Sequence, residues 1–199
     1  MQPHTLNTKQ QIIFIKNMVS ESCIKVVKWE LERTGFIIVE HIELGKAALH
    51  FNEGVINLDF IKAVLNRNGF DLISDEDTKL VEQIKATMVE IIIFGNSTQS
   101  MLRNSDFLAK KLGYSYSHIS KVFNRKETAT LEKYIIRLKI EKVKELISYE
   151  ELSLSEISFQ LGYSSVAHLS GQFKQVTGLS VQDYKKDFKQ IPRIPINKI

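Results

Sequence analysis

Leu112-Gly113-Tyr114-Ser115 returns as Leu161-Gly162-Tyr163-Ser164, and the surroundings return with it. Leu108-Ala109-Lys110-Lys111 leads into the first copy, and Ile157-Ser158-Phe159-Gln160 leads into the second. His118-Ile119-Ser120 and then Phe123 follow the first copy; His168-Leu169-Ser170 and then Phe173 follow the second. A repeated supersecondary unit implies a repeated local structure. Each copy reads as a short helix, a turn at the glycine and a second helix, the helix-turn-helix plan. In that plan the second helix enters a DNA major groove. Two copies imply one chain with two reading heads.

Working outward, Ser153-Leu154-Ser155-Glu156 has capping-box spacing, so a helix should start near Leu154. It runs through Ile157, Phe159 and Leu161 and stops at Gly162. Ser164 or Ser165 then caps a helix with Leu169, Phe173 and Val176 inward, ended by Gly178. In the first unit Asn104 or Ser105 caps Phe107 to Leu112, and Gly113 turns the chain. Ser115 or Ser117 then caps a helix carrying Ile119, Val122 and Phe123. Ala109 and Ser158, at matching positions, are small enough for close helix approach. Between the units, Leu131 to Ile147 carries apolar residues at 131, 135 and 138 and at 136, 140, 143 and 147. A helix of about 17 residues spans roughly 25 Å. It can bury one stripe against each unit and suits heads in adjacent major grooves, which recur every ~34 Å.

Composition narrows the class. The chain has 199 residues and 43% hydrophobic content, ordinary for a water-soluble globular protein. Its longest apolar run, Met88 to Phe94, is interrupted by Glu90 and too short for a membrane span. Met1 to Thr5 has no signal-peptide start, and a single cysteine allows no intrachain disulfide, so the expected compartment is the cytoplasm. Residues 1–99 hold 10 Lys/Arg against 13 Asp/Glu, while residues 100–199 hold 17 against 10. A basic second half fits a nucleic-acid module there. An enzyme finds no support: the five histidines have no metal spacing, and neither a phosphate-binding glycine loop nor a nucleophile motif is present.

Residues 12–74 read differently. Ile12–Ile15, Phe36–Val39, Ala47–Phe51 and Phe70–Ile73 are strand-like, and Cys23–Leu31 and Leu58–Asn68 suit helices. The order βαββαβ is the ferredoxin-like plan. Asp77 to Phe94 predicts a bridging helix with Leu80, Ile84 and Met88 on one stripe and Val81, Ala86, Val89 and Ile93 beside it. Gly95-Asn96-Ser97-Thr98 breaks it, and Pro192 to Ile199 reads as an extended, disordered tail.

From about Asp106 to Lys186 the chain resembles an AraC/XylS-type DNA-binding domain. The resemblance rests on Tyr134-Ile135-Ile136-Arg137-Leu138-Lys139-Ile140-Glu141-Lys142-Val143, on Leu161-Gly162-Tyr163-Ser164 and on Leu169-Ser170-Gly171-Gln172-Phe173-Lys174-Gln175-Val176-Thr177-Gly178. Against that pattern Lys139 and Lys185 stand where Arg is usual, Val143 where Ala is, Gly171 where Arg is and Val181 where Pro is. Asn17-Met18-Val19-Ser20-Glu21-Ser22-Cys23 resembles the Met-x-Cys-x-x-Cys loop of heavy-metal-associated domains, with Ser20 at the first cysteine position. Those domains hold soft ions between two thiolates; Cys23, with Met18 nearby, is left alone. A lost metal site is the resulting expectation, and no cofactor is implied.

The expected fold is thus an α+β ferredoxin-like domain of heavy-metal-associated type over 10–75, a bridging helix over 76–96, an all-α AraC-type domain over 97–190 and a tail over 191–199. The expected function is a sequence-specific, DNA-binding transcription regulator. Its partner is double-stranded DNA, with homodimerisation left open, no membrane, and no small-molecule or metal effector identified. The alternative is a metal-handling protein that takes a soft ion through Cys23. Candidate DNA contacts in the first head are Tyr116, Ser117, Ser120 and Lys121. In the second they are Ser165, Val166, His168, Gln172 and Lys174. Lys121 is the strong donor for base edges, so the first head is expected to read and the second mainly to grip phosphates.

Overall fold

A computed structural model describes residues 9–95, 104–186 and 192–199. The chain divides into two compact units, with the boundary between Ala86 and Thr87.

The first unit runs β1 (Lys9–Lys16), α1 (Glu21–Glu32), β2 (Ile37–Glu43), β3 (Lys46–Phe51), α2 (Leu58–Asn66) and β4 (Asp71–Ile73). The four strands form one antiparallel sheet in the order β2-β3-β1-β4, which is the βαββαβ plan the sequence predicts. Strand alternation sets its faces: Ile13 and Ile15 are buried while Ile12 is exposed. Ile15, Leu49 and Phe51 pack with Val27 and Leu31 of α1 and with Ile61 and Leu65 of α2. Ser20 and Asn57 cap the two helices by accepting the backbone N–H groups of Cys23 and Phe60. Gly45 turns the β2–β3 hairpin at φ +79°, a left-handed conformation that favours glycine.

The helix expected over Asp77 to Phe94 is α3 (Glu76–Val89), followed by a π-helical turn over Glu90–Phe94. The wider turn brings the Ile91 carbonyl to within 2.2 Å of where a Cβ on residue 95 would sit. Gly95 is therefore required sterically. Asn96 to Thr98, read as part of the break, lie outside the described residues.

The second unit continues with α4 (Asn104–Leu112), α5 (Tyr116–Lys126), α6 (Leu131–Tyr149), α7 (Leu154–Gln160), α8 (Val166–Thr177) and α9 (Val181–Lys186). The connector, α6, is longer than its apolar pattern suggests, because Thr130 caps its start and Glu150 ends it at φ +57°. One of its flanks meets the first head, where the Phe123 and Tyr134 rings lie 5.4 Å apart. Ile140, Val143 and Ile147 on the other flank pack with Ile157, Leu169 and Phe173 of the second head.

Three expectations are corrected. α4 already includes Asn104 and Ser105, so the helix does not start at Phe107. Val176 is exposed; the last turn of α8 runs past the core, and Thr177 turns inward with its hydroxyl donating to the Phe173 carbonyl at 2.7 Å. The segment from Pro192 is held against α6 rather than loose. The Ile194 N–H donates to Glu141 Oε2 at 2.8 Å, and Arg193 pairs with Glu145 at 2.6 Å. The cause is burial: Glu141 and Lys144, each 2% exposed, pair at 2.7 Å inside the unit, and a buried carboxylate requires further donors. Among the described residues no helix is long and apolar enough to cross a membrane.

Candidate nucleic-acid interface

Both heads turn on a glycine with positive φ, Gly113 at +73° and Gly162 at +67°. Each second helix then starts from a serine. Ser115 Oγ accepts the His118 N–H at 3.3 Å, and Ser165 Oγ accepts the His168 N–H at 3.1 Å. Ser115 is the last residue of the first repeated tetrapeptide, whereas Ser165 comes one residue after the second. The turn of the second head therefore carries one extra residue. That residue, Ser164, places its Oγ 3.1 Å from His168 Nδ1.

The same insertion separates the two tyrosines. Tyr114 is 48% exposed and stacks on His118, ring centroids 5.1 Å apart. Tyr163 is 9% exposed and meets His168 edge-on at 5.4 Å, with Lys139 Nζ 5.2 Å from its ring centroid. Burial raises the Tyr163 phenol well above its ordinary range and lowers the Lys139 ammonium. Tyr116 is raised too, first by burial and then by the nearby Glu132.

The sequence candidates fall into two groups. Ser117, Lys121, Ser165, His168 and Lys174 are exposed on α5, at the α8 cap or on α8. Tyr116, Ser120, Val166 and Gln172 are half-buried. Tyr116, His168 and Gln172 also border a cleft between the heads. The two helices do not present equivalent surfaces, because Lys121 and Gly171 hold the same place in the repeat: each follows His-apolar-Ser and precedes the buried phenylalanine by two residues.

Sequence reasoning passed over several residues. Arg125 and Lys126 extend the exposed basic surface to the end of α5. Asn124 Oδ1 accepts the Leu131 N–H at 2.8 Å, tying α5 to the start of α6. Lys139, noted in the sequence only as a departure from the family pattern, stands on α6 in the wall of the cleft. In the first unit Cys23 Sγ lies 3.3 Å from Ser20 Oγ, and Met18 is buried in the core. Among the described residues no group of three or more His, Cys, Asp or Glu side chains is placed to hold a metal ion.

Residues 108–187 match the sequence model of a family described as a helix-turn-helix domain. The chain is 31% identical over 90 residues to the Msm operon regulatory protein of Streptococcus mutans, covering 45% of this chain and 32% of that protein. It is 29% identical over 100 residues to the helix-turn-helix-type transcriptional regulator YdiP of Escherichia coli, covering 50% and 33%. The chain thus spans about a third of the length of these curated relatives. Among solved structures, the C-terminal domain of AraT, a response regulator from Geobacillus stearothermophilus, aligns with TM-score 0.48 and 21% identity, over 56% of this chain and 88% of that one. An AraC-type transcriptional regulator from Chromobacterium violaceum aligns with TM-score 0.45 and 19% identity, over 55% and 96%.

Proposed function

We propose that this chain, whose residues 108–187 form a helix-turn-helix domain of the AraC type, is a sequence-specific DNA-binding transcription regulator and not an enzyme. The observation that carries the reading is the doubled head: two serine-capped helices, each following a positive-φ glycine turn, joined by one continuous 19-residue helix. Such a helix is roughly 28 Å long, a separation suited to heads in adjacent major grooves. Tyr116, Ser117, Ser120 and Lys121 are the proposed base-reading set of the first head, with Lys121 as the main donor. Ser165, His168, Gln172 and Lys174 hold phosphates in the second, and Val166 offers contact to a thymine methyl.

The first unit serves sensing, dimerisation or partner binding and is a degenerate relative of heavy-metal-associated domains. The βαββαβ order and the Met18-to-Cys23 loop support that reading. Ser20 in place of a thiol removes the second soft ligand, so Cu(I) titration should give the same negligible binding for the wild type and for Cys23→Ser. Tight Cu(I) binding lost in Cys23→Ser would restore a metal function.

The regulator reading is tested by selecting binding sites from random DNA and measuring gel shifts with excess unrelated competitor. Enrichment of two half-sites about one helical turn apart is the expected result. Binding that every competitor removes equally, at all salt concentrations, would refute sequence-specific recognition.

A further inference from the structure

The cleft between the heads is an open groove with a volume of about 310 Å³, room for a small molecule bound against one wall. Ile135, Ile136 and Lys139 of α6 line it together with Tyr116 of α5, Tyr163 of the second turn and Gln172 of α8. Its lining holds one lysine and one carboxylate, Lys139 and Glu132, and they do not pair: among the described residues no carboxylate forms an ion pair with Lys139, whose ammonium is perturbed by burial alone. What meets the ammonium is the Tyr163 ring face, 5.2 Å away. The Tyr163 hydroxyl, buried in the same wall, has no hydrogen-bond partner among the described residues. A desolvated ammonium beside apolar and aromatic surface is incomplete without an anion, since burial weakens the charged form unless an opposite charge replaces the lost water.

We propose that this cleft is a binding site for a small organic monocarboxylate, with Lys139 as its counter-ion and the isoleucine and tyrosine surfaces holding its apolar or aromatic body. Glu132, also in the lining, sets the charge limit: one carboxylate is matched by Lys139, while a second would face a like charge. The walls come from both heads, Tyr116 from the first residue of α5 and His168 and Gln172 from α8. An occupant therefore touches both helices proposed to enter DNA, and its presence would alter their spacing. The cleft shares Tyr116, His168 and Gln172 with the proposed DNA-contact set, so its occupancy is tested on the chain without DNA.

The test uses the full chain without DNA, isotopically labelled at isoleucine methyl groups. The probes are 3-phenylpropionate and its uncharged analogue 3-phenylpropionamide, which differ in little but charge. The acid should bind saturably, with a Kd on the order of 1 mM, and shift the Ile135 and Ile136 methyl resonances. It should bind about tenfold more tightly than the amide, the discrimination expected of a charge-assisted contact. Lys139→Met, close in shape to the native side chain, should bring the acid down to the affinity of the amide. Equal affinity for the two probes in the wild type would overturn the proposal without need of the variant. So would the lack of saturable shifts, or shifts confined to isoleucines outside the cleft. If Lys139→Met weakened DNA binding while neither probe bound, the lysine would serve the DNA backbone instead, and the carboxylate site would again be refuted.

Discussion

The two heads share a turn, a cap and a buried phenylalanine, and they differ in what they show to the outside. The first exposes Tyr114 and carries Lys121 in mid-helix. The second has one more residue in its turn, draws Tyr163 into its core and has Gly171 at the place of the lysine. Features that specify the fold are kept in both copies, while features that could read a base are present mainly in the first. A repeat thus separates the two demands on a residue: what is common to the copies serves folding, and what differs is free to serve recognition.

The largest expected effects test the common part. Phe123 is 1% exposed and Phe173 is fully buried, and each meets a tyrosine ring, Tyr134 at 5.4 Å and Tyr184 at 5.3 Å. Truncating either to alanine should cost about 3–5 kcal/mol, the usual range for a buried phenylalanine. Urea unfolding followed by far-UV circular dichroism would measure both. If one substitution proved nearly neutral, the heads would not be equivalent as folding units, and the comparison would lose its basis.

The next effect tests the difference. Lys121→Ala should lower affinity for the selected site by ~1–3 kcal/mol and relax preference at one base position, as expected for loss of a base-edge donor. Lys174→Ala should weaken selected and unrelated DNA alike and reduce the slope of log affinity against log salt by about 1. Binding titrations on both DNAs at several salt concentrations separate the two outcomes. A uniform loss from Lys121→Ala would make the first head a phosphate grip, the role proposed for the second.

Much of this was legible because it is local. The glycine turns, the Ser153–Glu156 capping box and the two stripes of α6 are set by neighbours in the chain, and each stands where the pattern predicts. The four strands and two helices of the first unit were equally legible as elements, although helical spacing puts Phe60 inward with Ile61, Val64 and Leu65 and the structure leaves it exposed at the start of α2. Less legible were features decided by packing between distant segments. Glu141 is buried and receives the Ile194 N–H, so the final residues dock where the sequence predicts an extended, disordered tail. The setting of Lys139 is not local either, because it depends on Tyr163 in the turn of the second head. The place of Val176 depended on where the α8 core ends, which spacing alone does not mark.

A smaller effect concerns how the second head begins. The Ser153 hydroxyl, and then its backbone N–H, holds the Glu156 carboxyl below the ordinary carboxylate range. With a depressed folded-state value, the stabilisation is present above the unfolded value and is lost as pH falls through the folded one. Ser153→Ala should cost about 1 kcal/mol near neutral pH, as loss of an N-cap does. Glu156→Gln should flatten the part of the acid-side decline in stability that this carboxyl causes. Unfolding midpoints measured from pH 7 down to pH 3 give both. An unchanged acid limb in Glu156→Gln would show that the cap does not set the pH response of α7.

The smallest effect bears most directly on why the heads differ. Gly171 sits inside α8, is exposed, and has open space where a Cβ would stand. Its φ is not left-handed, so the backbone has no need of glycine there. Gly171→Ala should therefore stabilise the chain by roughly 0.5–1 kcal/mol, through the lower conformational freedom of alanine in the unfolded state. A residue that costs stability and fills no structural need invites a functional reason, and the equivalent Lys121 suggests one: without a side chain here, the second head cannot discriminate at this base step. Gly171→Ala should then leave the selected-site preference unchanged, whereas Gly171→Lys should impose a new preference at the matching position of the second half-site. If Gly171→Lys only strengthened binding to all DNA, the position would face phosphates. The asymmetry of the heads would then lie in how far each helix enters its groove rather than in which side chains it carries.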